Sequence, residues 1–156
     1  MNIAYFLTPK SSVAYLYDDC TFRQGLEKMR HRGYAAIPVI SRDGRYVGTV
    51  SEGDFLWRIL EPGASGQDGS FSMRDMERLQ IRDILKSDRP PVRITVSMED
   101  LVTSAMKQNF VPVVDDRGIF IGIVRRQAII RYCYDKSRKI EMTRTGRPVK
   151  ELAGVH

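Results

Sequence analysis

A stretch of fourteen residues occurs twice in this chain without a gap. Ile37-Pro-Val-Ile-Ser-Arg-Asp-Gly-Arg-Tyr-Val-Gly-Thr-Val50 is matched 74 residues further on by Val111-Pro-Val-Val-Asp-Asp-Arg-Gly-Ile-Phe-Ile-Gly-Ile-Val124. Pro38 aligns with Pro112, Gly44 with Gly118 and Gly48 with Gly122. Self-similarity at a fixed offset marks structurally equivalent units. Any fold for this chain must therefore place two like pieces in like surroundings.

Each copy reads as a β-hairpin. Ala35–Ile40 is a short apolar run, Arg42-Asp43-Gly44-Arg45 is a turn in which Gly supplies positive φ, and Tyr46–Val50 is the return strand. The second copy runs from Phe110–Val114 through a turn at Asp116-Arg117-Gly118 to Ile119–Val124. A proline inside each first strand predicts an edge strand or a break in the ladder. Helical periodicity flanks both hairpins. Before the first, Phe22, Leu26 and Met29 share a face behind a Thr21/Gln24 capping box; before the second, Leu101, Val102, Ala105 and Met106 follow a Ser97 cap. After them come the stripes Phe55, Leu56, Ile59, Leu60 and Ala128, Ile129, Tyr132, Cys133. Gly63, Gly66 and Gly69 form a flexible connection, and Met73, Met76 and Leu79 make a short packing stripe. The expected organisation is a repeat at 1–62, a linker and short helix at 63–79, a second repeat at 80–135 and a basic tail at 136–156.

Composition narrows the function classes. At 156 residues and 42% hydrophobic the chain suits one domain or two small halves sharing a core. It contains no run of roughly 20 apolar residues, so no membrane span is expected, and its first residues do not read as a secretory signal. Two cysteines, Cys20 and Cys133, make neither a disulfide framework nor a metal cage and fit a reducing cytoplasm. With two histidines, no Ser/His/Asp set can be assembled, and no Walker-type loop is present. The net charge is +6; residues 136–156 hold six cations against two acids, leaving the body nearly neutral. That tail is expected to be loosely ordered or to depend on a partner.

With these residues on the page, the chain resembles the cystathionine-β-synthase (CBS) domain family in its paired form. The resemblance rests on Gly33-Tyr34-Ala35-Ala36-Ile37-Pro38-Val39, on Gly48-Thr49-Val50-Ser51-Glu52-Gly53-Asp54-Phe55, on the lead-in Leu7 to Val13, and on Ile81-Arg82-Asp83-Ile84-Leu85 with Val92-Arg93-Ile94. It implies a mixed α/β (α+β) fold, tandem β-α-β-β-α repeats related by a pseudo-two-fold axis, with nucleotide clefts between them. It also implies a non-catalytic regulator that binds an adenine nucleotide (AMP, ADP, ATP or cyclic di-AMP), associates as a homodimer and signals to a client protein. Ser12-Val13-Ala14-Tyr15, Gly33–Ala36 and Arg125-Arg126 resemble small stand-alone bacterial CBS pairs that read cyclic di-AMP.

Ser51-Glu52-Gly53-Asp54 sits where a strand gives way to a helix. Unpaired N–H groups there accept phosphate, Ser51 adds a hydroxyl, and Asp54 is placed to accept ribose hydroxyls. A plain helix cap explains the same residues, and the two roles are compatible. Ala35 and Ala36, before Ile37-Pro38, leave room for a flat base or simply pack the core of a short strand; Tyr34 is placed to stack on the base or merely to cover the core rim, and Ala14, Ala36 and Ile37 are candidate ligand-binding residues with it. In the second copy Arg125 replaces Ser51 and Ala128 replaces Asp54, removing the ribose carboxylate. Two cations at a helix N-terminus oppose the macrodipole. Arg125 and Arg126 are thus candidate phosphate ligands, or else exposed cations. Two other functions stay open: nucleic-acid binding by the basic tail, against which stands the lack of interleaved aromatics, and a structural dimer with an empty cleft.

Overall fold

The computed structural model describes residues 2–61, 71–86 and 88–146. The glycine-rich connection proper and the last ten residues lie outside the described residues. The first half contains β1 (Leu7–Pro9), β2 (Leu16–Tyr17), α1 (Phe22–Arg32), β3 (Ala36–Ile40), β4 (Tyr46–Ser51) and α2 (Glu52–Leu60). After α3 (Met73–Arg78), the second half contains β5 (Val92–Arg93), α4 (Met98–Lys107), β6 (Phe110–Val114), β7 (Phe120–Arg125) and α5 (Arg126–Thr145). The helices begin where the capping chemistry places them. Thr21 and Gln24 form a reciprocal box on α1, Ser51 and Asp54 do so on α2, and Ser97 caps α4.

Two sheets result, ordered β2-β3-β4 and β1-β7-β6-β5. Both hairpins are antiparallel and keep the same register, Ile37 opposite Val50 and Val111 opposite Val124. Their turns rest on Gly44 and Gly118, at φ +89° and +82°. The proline-bearing strands are central rather than at an edge. The parallel ladders from β2 and β5 begin only at Val39 and Val113, one residue past each proline, so the missing N–H falls where no partner runs alongside.

The lead-in strand crosses over. β1 pairs antiparallel with β7, Thr8 opposite Ile123, and Ile3 is fully buried among Leu101, Val111, Val113, Val124 and Ile129. Conversely, Leu79, Ile81 and Ile84 fill the core of the first half with Leu16, Phe22, Ile37 and Phe55. Each half is thus completed by the segment that precedes the other in the chain. The hairpin tips also bond to each other symmetrically. The Tyr46 N–H donates to the Gly118 carbonyl at 3.1 Å, and the Phe120 N–H donates to the Gly44 carbonyl at 2.9 Å. These pairs are the same bond displaced by the repeat offset, which makes the pseudo-two-fold axis explicit.

Several helix stripes differ from expectation. Phe55 is buried, but Leu56 and Leu60 face outward; Ala105 is buried, but Met106 and Met73 are exposed. The core-facing residues of these helices are instead Phe55 with Ile59, Leu101 and Ala105 with Met98 and Val102, and Met76. Of the basic tail, residues 136–145 continue helix α5, which closes on Gly146 in the left-handed conformation; the rest of the tail lies outside the described residues. The N-terminal turns of α5 pack on the sheet through Ile129, and Tyr132 meets Phe6 edge-on at 5.1 Å.

Candidate functional site

Between the halves lies a cleft of about 120 Å3. Ala36 and Phe110, equivalent residues one repeat apart, both line it, together with Thr49, Ser51, Arg89, Lys107, Gln108 and Asn109. The cleft therefore draws on both repeats and on the connection between them. Its chemistry is a small residue and an aromatic ring, a hydroxyl at the N-terminus of α2, and two cations.

The polar floor is tightly coupled. One Asp54 carboxylate oxygen, Oδ2, accepts the Ser51 N–H at 2.8 Å and an Arg89 N–H at 2.9 Å. Its other oxygen, Oδ1, lies 3.6 Å from the Lys86 ammonium. Arg89 also donates to the Thr49 carbonyl at 2.7 Å and approaches the Ser51 hydroxyl at 3.4 Å. Burial works to raise the Asp54 carboxyl, yet the Ser51 N–H and the Arg89 guanidinium outweigh it and hold the group below the ordinary carboxylate range. The Arg89 backbone is held as well, because the Tyr46 hydroxyl donates to its carbonyl at 2.8 Å. Burial pushes that phenol up to about 12. With its one proton committed, the Tyr46 oxygen accepts from the Thr49 hydroxyl at 2.7 Å.

Of the residues singled out in the sequence, the structure brings Ala36 and Ser51 to the cleft. Asp54 stands just behind them, joined through Arg89, and lines an open groove of about 400 Å3 that also includes Trp57, Lys86 and Leu85. Ile37 is buried in the first core; Ala14 and Tyr34 pack against it, outside the cleft lining. Arg125 and Arg126 also stand outside this lining. Arg125 is exposed at the start of α5, whereas the Arg126 Nε–H donates to the Ala105 carbonyl at 2.7 Å. That carbonyl belongs to the last turn of α4, whose negative end offsets the unfavourable position of Arg126 at the start of α5.

Arg89 and Gln108 were not anticipated. Gln108 is 5% exposed; its Nε2 donates to the Pro90 carbonyl at 3.0 Å, and its Oε1 has no partner among the described residues. The repeat register supplied a cue, since Gln108 occupies the position of Tyr34. For Arg89 the only signal was a lone cation between Asp88 and two prolines.

Comparison with known proteins agrees with this architecture. The CBS domain matches residues 6–61 and 81–135, and the chain belongs to that family as a tandem pair. It is 31% identical over 120 residues to a homoserine O-acetyltransferase of Methanohalophilus mahii, covering 75% of this chain but 22% of that protein. This chain spans about a fifth of the length of that enzyme and of the carnitine transport ATP-binding protein it also matches. Solved structures cover far more of both chains. CbpB in complex with c-di-AMP superposes with a TM-score of 0.76 at 19% identity, covering 92% of this chain and 91% of that one. CBSX2 of Arabidopsis thaliana, in complex with AMP, superposes with a TM-score of 0.67 at 24% identity, covering 88% and 98%. At these identities the likeness is one of fold. No helix among the described residues is long and apolar enough to cross a membrane.

Proposed function

We propose that this chain is a non-catalytic regulatory module of the cytoplasm that binds an adenine nucleotide in the cleft between its CBS repeats and signals to a client protein. The observation that carries the reading is the cleft itself. Ala36 and Phe110 leave a narrow slot suited to a flat base, the Ser51–Asp54 turn presents acceptors suited to ribose, and Arg89 and Lys107 supply charge suited to phosphate. Nucleotides bound in crystals of CbpB and CBSX2, proteins of the same fold, support it. A ligand spanning both repeats favours one relative arrangement of the halves, and it shifts the surface shown to a client only by its preference for that arrangement. The ligand class is AMP, ADP, ATP or cyclic di-AMP. Because the equivalents of Ser51 and Asp54 are Arg125 and Ala128, the pseudo-symmetric position lacks a ribose carboxylate, and Arg125 is proposed to meet phosphate there.

The module works as a homodimer. α2 exposes Leu56, Trp57 and Leu60 at 57–67%, and α5 exposes Ile130 and Tyr134, an apolar surface that a second copy would cover.

Calorimetric titration of the purified chain with AMP, ATP, cyclic di-AMP and GMP tests the ligand. Saturable binding of at least one adenine nucleotide, weakened by Asp54→Ala, is expected. AMP offers Asp54 two ribose hydroxyls and a 3′,5′-linked cyclic dinucleotide only one per sugar, so the loss is larger for AMP. Absence of heat with every adenine nucleotide would leave the structural dimer as the better account.

A further inference from the structure

We propose that Arg89 decides which adenosine ligands the cleft accepts: its guanidinium occupies the acceptors a ribose would use and gives them up to a ligand that brings a phosphate to receive it. The inference rests on the nucleotide reading of the cleft and adds to it a selecting residue. Arg89 satisfies three acceptors of the Thr49–Asp54 segment at once, the Thr49 carbonyl, the Ser51 hydroxyl and Asp54 Oδ2. Ribose hydroxyls are donors and compete for the same lone pairs. Neither oxygen of Asp54 is idle, since the Ser51 N–H and Arg89 meet one and Lys86 approaches the other.

The consequence differs between ligands. A nucleoside entering the Ser51–Asp54 corner must detach a guanidinium from a carboxylate that is 4% exposed and leaves that cation only the exposed Asp88 carboxylate, 3.9 Å away. A phosphorylated ligand supplies the replacement partner itself, and the planar guanidinium fork matches phosphate oxygens two at a time. Tyr46 pins the Arg89 carbonyl and Pro90 and Pro91 stiffen the chain that follows, so the displacement falls to the side chain. Arg89 thus couples occupation of the ribose corner to the presence of phosphate.

Titration of the full chain with adenosine and with AMP, for wild type, Arg89→Ala and Arg89→Lys, tests this. Wild type is expected to prefer AMP over adenosine by about tenfold or more. In Arg89→Ala adenosine binding strengthens, AMP binding weakens, and the preference falls by about tenfold. Arg89→Lys keeps the charge without the fork and retains an intermediate preference; it decides the matter if Arg89→Ala proves unfolded by circular dichroism. An AMP/adenosine ratio unchanged in folded Arg89 variants overturns the proposal while leaving the nucleotide cleft intact, Arg89 then being a structural counter-ion for Asp54. Binding of neither ligand by wild type or folded variants overturns the cleft reading, and the role of Arg89 with it.

Discussion

The two halves offer an internal control for how the exchanged segments are held. Gly48 and Gly122 are equivalent by the repeat, and each faces the segment that the other half contributes. A Cβ built on Gly122 would lie against the Thr8 carbonyl oxygen, well inside contact distance, and 3.1 Å from the Pro9 Cα. These are backbone atoms of β1, which can yield only by leaving its ladder with β7. Gly122 also holds φ at +156°, a setting that side chains rarely adopt. The atoms nearest a Cβ on Gly48 belong to the Leu85 side chain, the first at 3.2 Å, and a leucine can turn. Gly122→Ala is therefore expected to destabilise by about 1–3 kcal/mol through overpacking, with more if β1 detaches. Gly48→Ala should fall near zero, because the small displacement of Leu85 is offset by about 0.4–1 kcal/mol of lost unfolded-state freedom. Equilibrium urea unfolding of the two variants reads the difference directly as a shift in midpoint at constant m. Equal losses in both, or a neutral Gly122→Ala, would refute the close pairing of β1 with β7.

Three further outcomes are expected. Ile3→Ala opens a cavity in the second core, although Ile3 lies at the start of the first repeat, and should remove about 2–5 kcal/mol by urea unfolding; a loss under about 0.5 kcal/mol, the usual range for surface changes, would contradict the crossover. Asp54 has a folded pKa below its unfolded value, so its contribution is present above about pH 4 and is lost as pH falls through the folded value. The stability gap between wild type and Asp54→Asn should accordingly narrow from pH 6 to pH 3; a gap constant with pH would contradict the ion pair. Wild type should scatter light with a dimer mass, and Trp57→Glu, which places charge in an exposed apolar face, should return the monomer mass; a monomeric wild type at high micromolar concentration would contradict the dimer.

The parts of the fold that local chemistry controls were legible in the sequence. The turns at Gly44 and Gly118, the caps at Thr21, Ser51 and Ser97, and the shared register of the hairpins each depend on residues a few positions apart. The crossing of Leu7–Pro9 to the far sheet was not legible, because the choice between two similar strand edges is made by long-range packing of Ile3 and Phe6. Arg126 shows the same limit at the site. Two adjacent arginines at a helix start suggest an anion, but the carbonyl that receives Arg126 comes from α4, a neighbour that only the assembled fold reveals. Ser51 and Asp54 form the helix cap, and Ser51 lines the cleft with Asp54 just behind it, so the capping role leaves the proposed ligand role open. Arg89 escaped notice because no periodicity or motif marks it; its meaning comes from the three acceptors folded around it.

A crystal structure of the chain grown with AMP tests the central claim most directly. The account predicts nucleotide density touching Ala36, Ser51 and Phe110, a ribose hydroxyl within about 3.2 Å of an Asp54 oxygen, and the Arg89 guanidinium moved from Asp54 onto phosphate. An empty cleft at saturating AMP, or AMP bound elsewhere with Arg89 still on Asp54, would contradict it.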